Sequence, residues 1–406
     1  MSGEFVYLLA QPDQECVIMK TIIKNAKIVS DGSIITGKQV CIENGSITGI
    51  ESQELDIPGK VIDADGRYLS AGFVDIHVHG GGGADFMDGA EAYAAACDSH
   101  LQHGTTSIVP TTISADFEQT LFAVEQFKIA KQNPNIRCNL LGLHLEGPYL
   151  NPAMAGAMRP EQLKAPCEKE YKKLWEASEG NIIRWTAAPE LEGGLEFGRK
   201  MAELGVVMSI GHSDADYETV IKAHDNGYSM ITHLYSACSS IKRIGGFRYA
   251  GIVEAAYLID DMRVEIIADG CHLPKDLLNF VTKFKSPETV ALITDAMRAS
   301  GQNVTESFLG SAECPQPVII EDGVAKLLDR QAFGGSIATT DRLVRTMVSA
   351  GTPLAQAVQM MTQTPISFLR PEIKKGKVAV GYDADLILYD DNIDIQAIYL
   401  KGEKVK

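Results

Sequence analysis

The chain has 406 residues, 45% hydrophobic and 22% charged, ample for a large buried core. Its formal net charge of −16 argues against a nucleic-acid surface, since binding phosphate over a wide area needs clustered Lys and Arg. A small phosphorylated ligand needs only one or two local cations and stays open.

Residues 1–18 look weakly structured. "MKTIIKNAKIV" from Met19 reads as a natural start, so 1–18 is expected to be an extension outside the fold. No signal pattern opens the chain, no apolar run reaches membrane-spanning length, and the eight cysteines are scattered without a Cys-x-x-Cys pair. These features predict a cytoplasmic protein with reduced thiols.

From 19 to 70 come short strand-like runs, "KTIIKNAKIV", "GSIITGKQVCIENGSITGI" and "KVIDADGRYLS", with turn signals such as Glu43-Asn44-Gly45. The C-terminal stretch 376–406 has the same texture. Neither end alone has enough strands for a stable sheet, so a small β-sandwich domain built from 19–70 plus 376–406 is expected.

Between them, 71–375 alternates. Apolar runs appear in "GFVDIHVHG", "GTTSIVPTT", "RCNLLGLHLEGP", "NIIRWTAAPE", "GVVMSIGHSD", "YSMITHLYSA", "RVEIIADG" and "TVALITDAM". Helix-like stretches follow most of them, at 91–102, 116–132, 195–204, 215–226 and 275–283. Two more helices, "TTDRLVRTMVSAG" and "PLAQAVQMMTQTP", follow the last run. The fold class predicted is α/β, a (β/α)8 TIM barrel with the small β-sandwich.

Six of the nine histidines lie at the ends of these strands: His77, His79, His144, His212, His233 and His272. Strand 3 adds Glu146 and strand 8 adds Asp295. Strand C-termini meet at one mouth of a barrel, so these residues form one cluster. His77 and His79 are two apart and face the same way, as do His144 and Glu146. Imidazoles and carboxylates are the usual ligands of Zn2+ and similar ions. His144 alone reads better as a hydrogen-bonded core residue. His100, His103 and His224 sit in helical stretches and read as packing or surface residues. Asp295 suits a general base beside a metal-bound water. Gly80–Gly83 lacks the Gly-Lys-Ser/Thr of a P-loop and reads as a flexible turn near the metal site.

"GFVDIHVHG", "GLHLEGPYLNP", "SIGHSDA", "THLYSA", "IIADGCH", "LITDAM" and "GKVAVGYDADLILYD" together resemble the amidohydrolase superfamily and, within it, the N-acetylglucosamine-6-phosphate deacetylases, over roughly 20–406. The resemblance implies a metal-dependent hydrolase that removes the acetyl group of a small phosphorylated amino sugar. It implies one or two divalent ions, Zn2+ ahead of Fe2+ or Mn2+, and a cytoplasmic homodimer with no nucleic-acid or membrane partner. Glu146, His212 and His233 are the implied ligands of a principal metal, and His77 and His79, with Glu146 bridging, of a second. Asp295 is the implied acid/base, and His272 polarises the acetyl carbonyl. Implied substrate contacts are Ala157, Met158, Ser236, Ala237, Phe333, Gly334 and Gly335.

The chain departs from the pattern in places. Ser236 stands where members often have Asn, and Met158 where they often have His or Gln. In "SSIKRIGGFRYAG", Arg243 and Arg248 are both candidates for the phosphate. Two other readings stay open. One is another amidohydrolase reaction, such as cyclic-amide hydrolysis or deacetylation of N-acetylgalactosamine-6-phosphate. The other is a non-catalytic descendant, which should have lost ligands or Asp295.

Overall fold

Strands that are apolar along their whole length must be covered on both faces, and parallel pairing into a closed ring does this. A computed structural model describes residues 20–313, 315–369 and 372–406. The expected extension over 1–18 lies outside the described residues. The strands are β1 (Phe73–Val78), β2 (Thr105–Thr112), β3 (Leu143–Glu146), β4 (Ile182–Ala187), β5 (Val207–Ile210), β6 (Tyr228–Ile231), β7 (Arg263–Ile267) and β8 (Val290–Ile293). Each pairs in parallel with the next. At the seam, the Asp295 N–H donates to the His77 carbonyl at 2.9 Å. The N–H and hydroxyl of Thr294 donate to the Asp75 carboxylate. This nearly closed ring is the expected (β/α)8 barrel.

A helix follows each strand: α1 (Ala92–Leu101), α2 (Phe117–Lys131), α3 (Glu168–Ser178), α4 (Gly194–Glu203), α5 (Tyr217–Asp225), α6 (Ile252–Leu258), α7 (Lys275–Phe284) and α8 (Thr340–Ala350). Asp116 and Asp216 start α2 and α5 by accepting from the Gln119 and Thr219 N–H groups at 2.8 and 2.9 Å. Then come α9 (Leu354–Met361) and α10 (Gln363–Leu369). Ile366 and Phe368 of α10 share an apolar cluster with Val74, Ile76, Ile267 and Ile293 of the barrel. No helix among the described residues is long and apolar enough to cross a membrane.

Two insertions carry their own strands. A hairpin (Lys242–Ile244 with Phe247–Tyr249) turns at Gly245-Gly246 between β6 and α6. A three-stranded antiparallel sheet (Glu306–Leu309, Gln316–Glu321, Val324–Leu327) lies between β8 and α8.

The chain ends form two further sheets. One has four strands from the N-terminal part, Thr21–Lys24 to Lys60–Asp63. The other has six and pairs Tyr68–Ala71 with Leu386–Tyr389 from the far end. Ile23, Val40 and Ile42 of the first sheet share one apolar cluster with Ile28, Leu69, Leu386 and Tyr399 of the second.

Candidate active site

Each chemistry-bearing residue stands at, or just past, the C-terminal end of a barrel strand. Glu146 ends β3, and His212, His233 and Asp295 follow β5, β6 and β8 by two residues. Three of these non-glycine residues have left-handed backbone, with φ 47° at His212, 30° at His233 and 48° at Asp295. Such conformations are strained and tend to persist where a site demands them.

Four imidazoles turn Nε2 toward the buried Glu146 carboxylate. His77 and His79 stand 3.5 and 3.3 Å from Oε2, and His212 and His233 stand 3.3 and 2.9 Å from Oε1. Asp295 Oδ1 is 3.5 Å from His77 Nε2 and 3.1 Å from His79 Nε2. Behind the rings, each Nδ1 has an acceptor. His79, His212 and His233 donate to the carbonyls of Thr111, Met154 and Ser236 at 3.2, 2.9 and 3.1 Å. His77 donates to the Glu265 carboxylate at 3.3 Å. Every Nε2 lone pair is thereby aimed inward.

Two triads, His77–His79–Glu146 and Glu146–His212–His233, offer ligand atoms that all lie within 4.8 Å of one another. Their chemistry suits a divalent ion at each. The His77 Nε2 is buried without a hydrogen-bond partner, an orphan that a cation would satisfy. Electrostatics agree. Burial alone would raise the Glu146 carboxyl, but the His77 charge and the surrounding imidazole hydrogen bonds hold it well below the ordinary range. Burial alone would lower His77 and His79, yet Glu146 and Asp295 outweigh it, so His77 rises to about 9 and His79 also rises. The carboxylates call for positive charge at these nitrogens, which a proton or a divalent ion supplies.

His144 stays outside this cluster. Its ring nitrogens meet the Thr111 and Thr186 hydroxyls at 3.2 and 2.7 Å, and burial with the nearby Arg184 charge pushes it well below the usual imidazole range.

The cluster opens into a cavity of about 290 Å³. His79, Glu146, His212, His233, Asp295 and His272 line it, with Ala157, Met158, Ser236, Ala237, Phe333 and Gly335 of the expected substrate contacts. Gly334 is not among its lining residues, and Arg243 and Arg248 lie on the exposed hairpin instead. No Lys or Arg among the described residues lines the cavity. The His272 ring packs edge-on against Phe333, with centroids 4.7 Å apart, and its Nδ1 donates to Asp269 Oδ2 at 2.8 Å.

The glycines after His79 do not cradle a phosphate. Gly80–Gly81 folds back onto Ala84–Asp85, and the N–H groups of Gly80, Gly82 and Gly83 donate to Ala296, Ser300 and Arg298 carbonyls at 3.0, 2.8 and 2.8 Å. A Cβ at Gly80 would stand 2.2 Å from the Ala84 carbonyl oxygen. The turn fastens β1 to the loop that carries Asp295.

The amidohydrolase family model matches residues 68–405. The chain belongs to the amidohydrolase family. It is 31% identical to the N-acetylglucosamine-6-phosphate deacetylase of Lysinibacillus sphaericus, covering 92% of this chain and 95% of that one. It is also 31% identical to the N-acetylgalactosamine-6-phosphate deacetylase of Shewanella sp. (strain ANA-3), covering 94% and 95%. Among solved structures it is similar to an N-acetylglucosamine-6-phosphate deacetylase from Pasteurella multocida, with TM-score 0.87, 27% identity, and 95% and 99% of the two chains covered.

Sequence reading missed several residues of this amidohydrolase's site. Asp269 stands three before His272 in "ADGCH", a spacing visible in the sequence. Gln331 and Ala332 line the cavity immediately before Phe333. Leu309 reaches it from the inserted sheet. Arg184 and Glu265, which meet beneath His77, lie on strands far apart in sequence and leave no local signal.

Proposed function

We propose that this chain hydrolyses the N-acetyl group of N-acetylglucosamine-6-phosphate, giving glucosamine-6-phosphate and acetate in cytoplasmic amino-sugar catabolism. One observation carries the reading: four imidazoles, the shared Glu146, the separate carboxylate of Asp295 and the His272–Asp269 pair converge at one cavity. Glu146, His212 and His233 would hold a first divalent ion, and His77 and His79, with Glu146, a second; Zn2+ is the first candidate, then Fe2+ or Mn2+. Bound there, such ions acidify water and polarise a carbonyl. Asp295 takes the proton of the attacking water and returns it to the sugar nitrogen, so the amine leaves neutral. His272, held at Nδ1 by Asp269, turns its other ring nitrogen to the oxyanion that develops on the acetyl oxygen. Ala157, Met158, Ser236, Ala237 and the Phe333–Gly335 turn enclose the sugar.

The 6-phosphate calls for a cation, and none lines the cavity among the described residues. The 242–249 hairpin places Arg243 opposite Arg248, beside Ile244 and Phe247 that are 60% and 73% exposed. An apolar arm of this kind suits burial against a second copy. We assign it to a homodimer in which one of these arginines reaches the neighbour's cavity.

The test is acetate release from N-acetylglucosamine-6-phosphate, from the same sugar without phosphate and from N-acetylgalactosamine-6-phosphate, with bound metal measured by elemental analysis. The Shewanella relative makes the galacto sugar the second reading. A preference for it would move the substrate and leave the chemistry intact. No release from any of the three by metal-replete protein would overturn the assignment.

A further inference from the structure

Arg184 of β4 and Glu265 of β7 are fully buried, and the reaction just described uses neither. The guanidinium bonds both carboxylate oxygens, Nη1 to Oε1 and Nη2 to Oε2. It also donates to the Ile76 carbonyl at 3.2 Å and to the Ser209 and Thr232 hydroxyls at 3.2 and 3.0 Å. Groups from β1, β5 and β7, with Thr232 just past β6, thus hold one side chain of β4. Glu265 Oε2, already bonded by Arg184 Nη2, also accepts the His77 Nδ1–H at 3.3 Å.

Stability alone explains this poorly. Taking two charges out of water costs as much as their attraction returns in many proteins, and apolar replacements are often neutral or better. The four imidazoles show what else the pair does. Three rest Nδ1 on backbone carbonyls; His77 alone rests on a carboxylate. Either acceptor fixes the tautomer, but a carboxylate also makes the ring a stronger donor at Nε2. Arg184 pins that carboxylate in place and balances its charge.

We infer that Glu265, held by Arg184, is a positioning residue for His77, and that the pair sets how tightly the His77–His79–Glu146 position holds its ion. The inference deepens the metal-centre reading and rests on it.

Titration of Zn2+ into metal-free protein reads the stoichiometry and both affinities. The wild type is expected to bind two ions. Glu265→Gln keeps the shape and removes the charge. The His77–His79–Glu146 affinity is expected to fall about 10- to 100-fold, with the Glu146–His212–His233 affinity unchanged. That variant strands a buried guanidinium and lowers Tm. Adding Arg184→Met removes the stranded charge and restores Tm, while the weakened position stays weak; this double variant gives the same readout if Glu265→Gln does not fold. A pair with only a structural role would lower Tm in Glu265→Gln and leave both affinities intact, and that result overturns the inference. So does a wild-type chain that binds a single ion. A wild-type chain that binds none overturns the metal-centre reading as well, so the two failures are distinguishable.

Discussion

The two halves of the candidate metal centre share Glu146 but are built by different means. His77 and His79 are two apart in sequence at the end of β1, so strand geometry alone aims both rings one way. His212 and His233 stand past their strands on left-handed backbone, a conformation that costs about 1–3 kcal/mol for a non-glycine residue. Behind the second pair are loop carbonyls, from Met154 and Ser236. Behind the first are the Thr111 carbonyl and the buried Glu265 carboxylate. One half is aimed by regular structure and tuned from inside the barrel. The other is aimed by strained loops that the rest of the fold must hold. Mutations should therefore separate the halves, except at the residue they share.

The largest effect is expected at that residue. Glu146→Gln leaves neither half with a carboxylate, so both ions and acetate release should fall to background, read by elemental analysis and kinetics. Metal retained at full stoichiometry would mean that the halves do not depend on a common carboxylate. Asp295→Asn should be nearly as damaging to turnover and harmless to binding. Loss of one acid/base group typically costs a factor of about 10² to 10⁴ in kcat. Near-normal turnover would remove Asp295 from the proposed chemistry. His77→Asn should separate the halves cleanly, with one ion lost and one kept. Full activity with one ion per chain would make the strand-borne half structural.

The asymmetry also explains what was legible in the sequence. Eight apolar runs with helices between them announce a barrel, and a strand with His-x-His announces its own facing, because both patterns are local. His212, His233 and Asp295 were legible as positions after strands, but their left-handed backbone was not. The inserted sheet that brings Leu309 to the cavity left no strong periodicity. "SSIKRIGGFRYAG" offered Arg243 and Arg248 as phosphate candidates, and only the structure shows that they stand on a hairpin away from the cavity. The Arg184–Glu265 pair was the hardest to see. The two residues are 81 positions apart and meet only because β4 and β7 face across the nearly closed ring.

The smallest predicted effect concerns a support on the strand-borne side. His100 of α1 lies beneath the turn that follows His79. Its Nε2 donates to the Gly80 carbonyl at 2.9 Å, and its Nδ1 is buried without a partner. Burial pushes this imidazole down to about 4, from an ordinary value of 6.5. The sign follows from comparing the folded and unfolded chains. Below pH 6.5 the unfolded chain takes up a proton that the folded protein refuses until about pH 4. The unfolded state binds more protons in that window, so His100 removes stability as pH falls through it, about 3 kcal/mol in all, and has no effect above it. His100→Gln keeps a donor for the Gly80 carbonyl and does not titrate. Urea unfolding at neutral pH should place the variant near the wild type. At pH 4.5 the variant should have lost less stability, by most of that amount. Two stability curves that stay parallel from pH 7 to 4.5 would show that the His100 ring is not held neutral beneath the turn. His100 would then lend the strand-borne half no acid-sensitive support.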